Sequence, residues 1–511
     1  MTGESVRIVI GNGDLTLDAL QAVGNSPVRI GLDDAAKRRI ADAAGALARI
    51  VGGPDAAYGV NTGFGKLCRT RVDSDQLAQL QVNLIYSHAV GVGPDMPPEL
   101  VRLMMLLKVN ALARGFSGIT LETLECLIEC LNHDILPVIP TQGSLGASGD
   151  LAPLAHMVLP LIGKGMVDHQ GRRRTAESAL AEVGLKPITL APKEGLALIN
   201  GTQFMLSYAV SSLGRAQNLM KHADLLGACT VEALQGSHVP FKPDLHALRP
   251  HPGAMLVAAN LRKLLQESEI NAGHATCGRV QDPYSLRCMP QVHGAVRDAY
   301  AHVRHVVGVE LNAVTDNPVI LEGDSVVSGG LFHGEPLALT LDYLAIAMAE
   351  LASISERRTY LLLEGDELLP QLLTARSGVN SGLMIPHYTA AALVSENKGL
   401  ATPAAVDSIP TSLGQEDHVS MGARSAVKSR QVVENCEQVL AVELLSAMQA
   451  LDFHQTLKPG KGVSAAHTCF RQFVEHITED RMFVEDMRVS VEQIRGGALL
   501  DAAEKAVGAV E

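Results

Sequence analysis

The chain has 511 residues, 42 of them Lys or Arg against 55 Asp or Glu, for a formal charge of −13 and a pI near 5.8. That acidity excludes a polyanionic partner such as nucleic acid or an anionic membrane surface, because both require a basic face. With 47% hydrophobic residues, 3% aromatic residues and no tryptophan, the core must be aliphatic.

No run reaches the roughly 18 apolar residues of a spanning helix, and the opening MTGESVRIVIGNGD lacks the continuous apolar core of a signal peptide. A cytoplasmic location is expected. The eight cysteines, scattered from Cys68 to Cys469, read as buried thiols rather than a disulfide framework.

In chain order, residues 1 to 60 mix two short strands, VRIVI and VRIGL, with a helix that begins near Asp33 and ends at Gly52-Gly53. From Leu100 through Leu131 apolar residues recur at three and four, interrupted by the glycines of RGFSGI. Cys126 and Cys130 lie four apart on that pattern, and no second cysteine pair stands nearby to complete a zinc set. Helical stretches follow at 206–234, 289–313, 336–363, 387–400 and 422–451, and ALTLDYLAIAMAEL is apolar on nearly every face.

These patterns predict a mainly α protein with a long central helical bundle and a mixed, loop-rich N-terminal part. Length alone suggests about three domains at ~150 residues each, but no linker, repeat or low-complexity tract marks a boundary. The division expected is 1–200 for the N-terminal part and 201–511 for the bundle and C-terminal helices, a weak boundary that one continuous domain would also satisfy.

Unusual chemistry concentrates in loops: YGVNTGFG (58–65), YSHAVGVG (86–93), QGSLGASGDLAPLA (142–155), LINGTQ (198–203), VQDPYSLRC (280–288), TDNPV (315–319), SGGLFHGEP (328–336) and GQEDHVSM (414–421). No phosphate-binding G-x-x-x-x-G-K-[ST] is present. Neither GNG near residue 11 nor GFG at 63 completes G-x-G-x-x-G, and there is no H-E-x-x-H, so neither an external cofactor nor a metal is expected.

The loop around Ser148 admits three readings. In the first, Asp150 caps the helix that follows. In the second, a nucleophile elbow G-x-S-x-G, the pattern fails because Asp150 stands where the second glycine belongs. In the third the backbone itself reacts: the Gly149 nitrogen attacks the Ala147 carbonyl carbon with loss of water, and loss of a second water from Ser148 leaves an exocyclic methylidene. Gly149 offers an unhindered nitrogen and access to backbone angles barred to other residues.

Taken together these loops, in this order from about Thr16 to about Leu451, resemble the aromatic amino acid ammonia-lyase family, and within it the members that use histidine. The resemblance implies that Ala147, Ser148 and Gly149 form an internal methylidene-imidazolone. It makes Tyr58 the base that takes the β-proton, Asn200 the partner of the prosthetic group, and Arg287 the partner of the substrate carboxylate, a task its planar fork suits. Gln281, Tyr284 and Asn317 become neighbours of the substrate, and Phe332 a residue packing against its ring. Holding the Tyr58 phenol ionised near neutrality costs about 4 kcal/mol, three pKa units at ~1.36 each.

Ser87-His88 resembles the histidine-using members, where phenylalanine-using relatives carry Phe-Leu, and Glu416 stands where those relatives carry Gln. An acidic group beside an imidazole can accept its ring N–H and hold its tautomer. The activity implied is non-oxidative loss of ammonia from L-histidine to give trans-urocanate, the first step of histidine degradation, by a homotetramer whose sites are shared between subunits. Leu331, Leu383 and His387 depart from the family's usual Asn, Phe and Gln. Those changes leave room for a related ammonia-lyase, a 2,3-aminomutase with the same prosthetic group, or a catalytically silent relative.

Overall fold

The computed structural model describes residues 6–511 apart from 12, 22, 24–25, 53–58, 60, 64–71, 274–279 and 323–324. Tyr58 lies outside the described residues. The protein is mainly α-helical, and contacts divide it into one unit of residues 1–211, 304–342 and 403–427 and a second of 212–303, 343–402 and 428–511. Four boundaries fall inside the helices Gln203–Ala233, Met289–Glu310, Glu335–Glu364 and Gly422–Leu451, which is why no linker composition marks them.

In the first unit the two short strands appear as read, Val6–Ile10 pairing in parallel with Val28–Leu32. The next helix, Asp34–Val51, starts where Asp33 accepts the Ala36 N–H at 2.6 Å, and it buries Ala36, Ile40, Ala43 and Leu47 along one stripe. The apolar run from Leu100 resolves into Pro98–Ala113 and Leu121–Asn132. Gly115 and Gly118 separate them at φ +80° and +71°, with Arg39 and Leu47 too close for a β-carbon at either position.

Small antiparallel pieces that periodicity could not show also belong to this unit, among them Val319–Leu321 with Ser325–Val327, Val92–Asp95 with Pro140–Gln142, and Met166–His169 with Arg172–Thr175. The last hairpin closes on Gln170-Gly171, both with positive φ, as a two-residue turn requires.

The second unit is built on long helices with charged groups inside. Arg358 and Glu443 are both fully buried and form a two-pronged pair at 2.5 and 2.8 Å. Ser355 and Thr230 donate to the same carboxylate. Nearby, Asp224 accepts from Arg297, His293 and Asn260 at 2.7 to 2.9 Å. By length and mean hydropathy Glu335–Glu364 is apolar enough to cross a membrane, yet 67% of its most apolar window is buried in the protein. It serves as a core helix.

Candidate active site

The Ser148 loop is held in a conformation that ordinary residues avoid. Ser148 has φ +49° and Gly149 φ +80°, and a non-glycine residue in the left-handed region costs roughly 1–2 kcal/mol. Backbone bonds hold it there: Asp150 N–H to Gly201 O at 2.7 Å, Gly201 N–H to Ser148 O at 3.4 Å, and Met421 N–H to Leu145 O at 2.9 Å. A β-carbon on Gly149 would stand 2.0 Å from the Gly201 carbonyl oxygen, so only glycine fits.

Asp150 precedes the helix Leu151–Val158 but does not cap it with its side chain. The carboxylate turns instead to the start of Gln203–Ala233, where it accepts the Met205 N–H at 3.1 Å. The cap reading is therefore corrected: tertiary packing places an unsatisfied helix start closer than the local one. Burial pushes the Asp150 carboxyl up to about 7, against the Met205 and Phe204 amides and Lys108, which pull it down.

Beneath the loop Asn200 is fixed from three sides. Its side-chain amide donates to Asp316 Oδ1 at 3.2 Å and to Asn317 O at 2.9 Å, while its backbone carbonyl accepts from Lys108 Nζ at 2.6 Å. Lys193 pairs with the other Asp316 oxygen at 2.7 Å in full burial. Lys108 is likewise buried, which lowers its ammonium to about 7 despite Asp316 and Asp150. The sequence reading missed Lys108, Lys193, Asp316 and Gly201; the one local signal was a lysine inside the apolar run LMMLLKVNALA.

A cavity of about 490 Å³ opens over this platform, lined by Ser148, Asn200, Asn317, Ser87, His88 and Glu416 among others. Five sequence-predicted residues from separate loops, Ser148, Asn200, Asn317, His88 and Glu416, thus meet in one place. His88 Nδ1 lies 2.8 Å from Leu84 O and so carries the proton in that bond, leaving Nε2 as the acceptor. Burial lowers its pKa below the ordinary value, partly offset by the Leu84 carbonyl and the Glu416 charge, which favours the neutral ring. Glu416 Oε2 accepts from Thr411 Oγ1 at 2.9 Å, and Oε1 lies 3.5 Å from the Ser148 hydroxyl. Asn200 Oδ1 is buried without a hydrogen-bond partner among the described residues.

Other expected residues are not brought to this cavity within the chain. Gln281, Tyr284 and Arg287 belong to the second unit and form their own group: Arg287 donates to Gln281 Oε1 at 3.0 Å and lies 4.5 Å over the Tyr284 ring. Phe332 is half-buried and does not line the cavity, and Leu331 is exposed. The other two departures sit in the second unit, where Leu383 is fully buried and His387 bonds Glu356 at 2.8 Å.

The profile of the aromatic amino acid lyase family matches residues 15–472. A histidine ammonia-lyase from Deinococcus radiodurans is 54% identical over 96% of this chain and 94% of its own length, and one from Myxococcus xanthus is 47% identical over 98% and 99%. Among solved structures, histidine ammonia-lyase from Trypanosoma cruzi superposes with a TM-score of 0.90 at 42% identity, covering 98% of this chain and 96% of that one. Tyrosine aminomutase from Streptomyces globisporus reaches 0.92 at 34% identity, covering 99% and 100%. The chain belongs to the aromatic amino acid lyase family.

Proposed function

We propose that this protein is a carbon–nitrogen lyase that eliminates ammonia from L-histidine to give trans-urocanate, the first step of histidine degradation. The observation that carries the reading is the cavity in which Ser148 shares its walls with Asn200, His88 and Glu416. The near full-length likeness to relatives named histidine ammonia-lyase supports it.

The internal methylidene-imidazolone of the family fits the residues present. Gly149 has no room for a side chain against Gly201, and the loop is already bent at Ser148. When formed from Ala147, Ser148 and Gly149, the group supplies an electrophile without any external cofactor.

The chain's own side chains supply the rest. Neutral His88 accepts through Nε2 and the Glu416 carboxylate also accepts, so together they suit a protonated substrate imidazole, which offers both of its ring N–H groups. Asn200, held by Asp316 through its side-chain amide and by Lys108 through its backbone carbonyl, presents its side-chain Oδ1 at a fixed position. Tyr58 takes a proton from the β-carbon; the Cα–N bond breaks, the Cα–Cβ double bond forms, and ammonia leaves. Arg287, with Gln281 and Tyr284, binds the substrate carboxylate from a neighbouring copy, since these residues do not line the cavity of their own chain. The assembly is a homotetramer with shared sites, working in the cytoplasm. Phe332 packs beside the substrate ring once the neighbouring copy is in place.

The test is a panel of L-histidine, L-phenylalanine and L-tyrosine in which ammonia and absorbance of the unsaturated acid are followed together. Histidine giving both products supports the reading. A β-amino acid with little free ammonia would make the protein an aminomutase, and no product from any amino acid would make it a silent relative.

A further inference from the structure

His333, Glu335 and His418 come together in the first unit although 85 residues separate the two histidines, so no local spacing could have revealed them. One ligand atom from each lies within 4.8 Å of the others. The two imidazole rings stand 5.8 Å apart, inclined by only 30°. Hydrogen bonding within the group is long: His333 Nε2 to His418 O is 3.3 Å, and Glu335 N–H to His333 Nδ1 is 3.3 Å. Glu335 Oε2 is buried with no hydrogen-bond partner among the described residues, an unfavourable state for a polar group and more so for a charged one.

We propose that these three side chains bind one divalent cation of the zinc class and that the ion staples the 328–336 loop to the 411–421 loop. Two imidazoles and one carboxylate are borderline nitrogen and oxygen donors, which suit zinc and leave a fourth position for water; magnesium and calcium call for oxygen-rich shells. Bonds of about 2.0–2.2 Å require the ligand atoms to draw in by roughly an ångström, which rotation of the exposed His418 ring and of the Glu335 side chain allows. The ion would satisfy the orphaned carboxylate oxygen and replace the long hydrogen bonds.

The consequence is positional. His418 is two residues from Glu416, and His333 directly follows Phe332. The same loops already touch, since a β-carbon on Gly334 would lie 3.0 Å from Ser420 Oγ, and Met421 is tied to Leu145 beside the Ser148 loop. None of the three ligands lines the cavity, so the ion acts through the placement of Glu416 and does not touch substrate. Only this kinetic consequence rests on the proposed lyase activity; ion binding does not.

The experiment uses the full-length protein stripped with a chelator, titrated with cobalt(II) followed by its visible absorption and with zinc followed by calorimetry. One equivalent per chain is expected, with zinc far tighter than magnesium, a zinc-dependent rise in Tm, and at least about tenfold weaker zinc binding in His418→Ala and Glu335→Gln. His418 is exposed, so its variant should fold normally, and circular dichroism checks this. Stripping should raise KM for histidine more than it lowers kcat, with zinc restoring it. The site is overturned if zinc fails to saturate, if magnesium binds equally well, or if both variants bind zinc like the parent. The staple is overturned if KM is unchanged on removal of the ion. A protein inactive on every amino acid would refute the proposed function while the binding measurements still decide the site.

Discussion

The Glu416 carboxylate lies 3.5 Å from the Ser148 hydroxyl, across 268 residues of chain, while its other oxygen is held by Thr411 at 2.9 Å. The residue proposed to read the substrate ring is therefore also a direct neighbour of the Ser148 loop. Replacing Glu416 with Gln separates the two roles. Loss of one partner of a charged hydrogen bond costs on the order of 2–5 kcal/mol, or roughly 30-fold or more in kcat/KM. Histidine turnover should fall by that much, and any residual phenylalanine turnover, whose ring has no N–H, much less. Equal losses on both substrates would place Glu416 in the common chemistry instead.

Ring closure and dehydration at the Ser148 loop each release a water, so intact mass spectrometry of the purified protein should show a deficit of two waters against the encoded chain. Ser148→Ala removes a half-buried hydroxyl from a loop and should leave the fold intact, yet with no hydroxyl to leave it cannot dehydrate. Its activity should be abolished. In Gly149→Ala the new β-carbon meets the Gly201 carbonyl at 2.0 Å, and the full unmodified mass is expected. A parent protein with no missing water would exclude the internal group.

Asp150 and Lys108 make opposite contributions to the pH dependence of stability. Between the ordinary carboxylate value of 3.8 and about 7, folded Asp150 keeps a proton that the unfolded chain has released, so its contribution falls as pH rises through that window. Between about 7 and the ordinary ammonium value of 10.5, unfolded Lys108 holds a proton that the folded chain lacks, so stability rises with pH there. Their joint contribution is least near neutrality. Asp150→Asn should flatten the acid-side slope, gaining on the parent by up to a few kcal/mol, of the order of three pKa units at ~1.36 each, between pH 4 and 7. Urea unfolding across that range measures it, and parallel curves for the two proteins would refute the argument.

The Arg358–Glu443 pair is fully buried in the second unit, where removing one partner strands a charge. Arg358→Met should destabilise by about 3–5 kcal/mol, and adding Glu443→Leu should recover part of the loss because no unpaired charge remains. Denaturation midpoints of the two single variants and the double variant form the cycle. A double variant no more stable than Arg358→Met would mean that lost packing, not the stranded charge, sets the cost.

Much of the fold was legible because its signals are local. The bundle helices are apolar enough to announce themselves, and Gly115, Gly118 and the Asp33 cap set boundaries through backbone angles and first-turn hydrogen bonds within a few residues. The small strands were not legible: Val92–Asp95 and Pro140–Gln142 are too short for a period, and their pairing is decided by the helices that carry them. Asp150 shows the same limit at one residue, a correct helix start whose side chain serves a different helix.

The amino-acid sequence by itself determined which chemistry is available. Ala147-Ser148-Gly149 is a short contiguous stretch for which an internal electrophile is one of three readings, and the resemblance to the ammonia-lyases is what favours it. Only the tertiary structure decided who meets whom. Lys108 reaches Asn200 across 92 residues, Asn200 reaches Asp316 across 116, and His333 meets the His418 loop across 85. Such meetings have no sequence period, because the entropy of closing each loop is offset by the burial of whole helices rather than by the residues that finally touch.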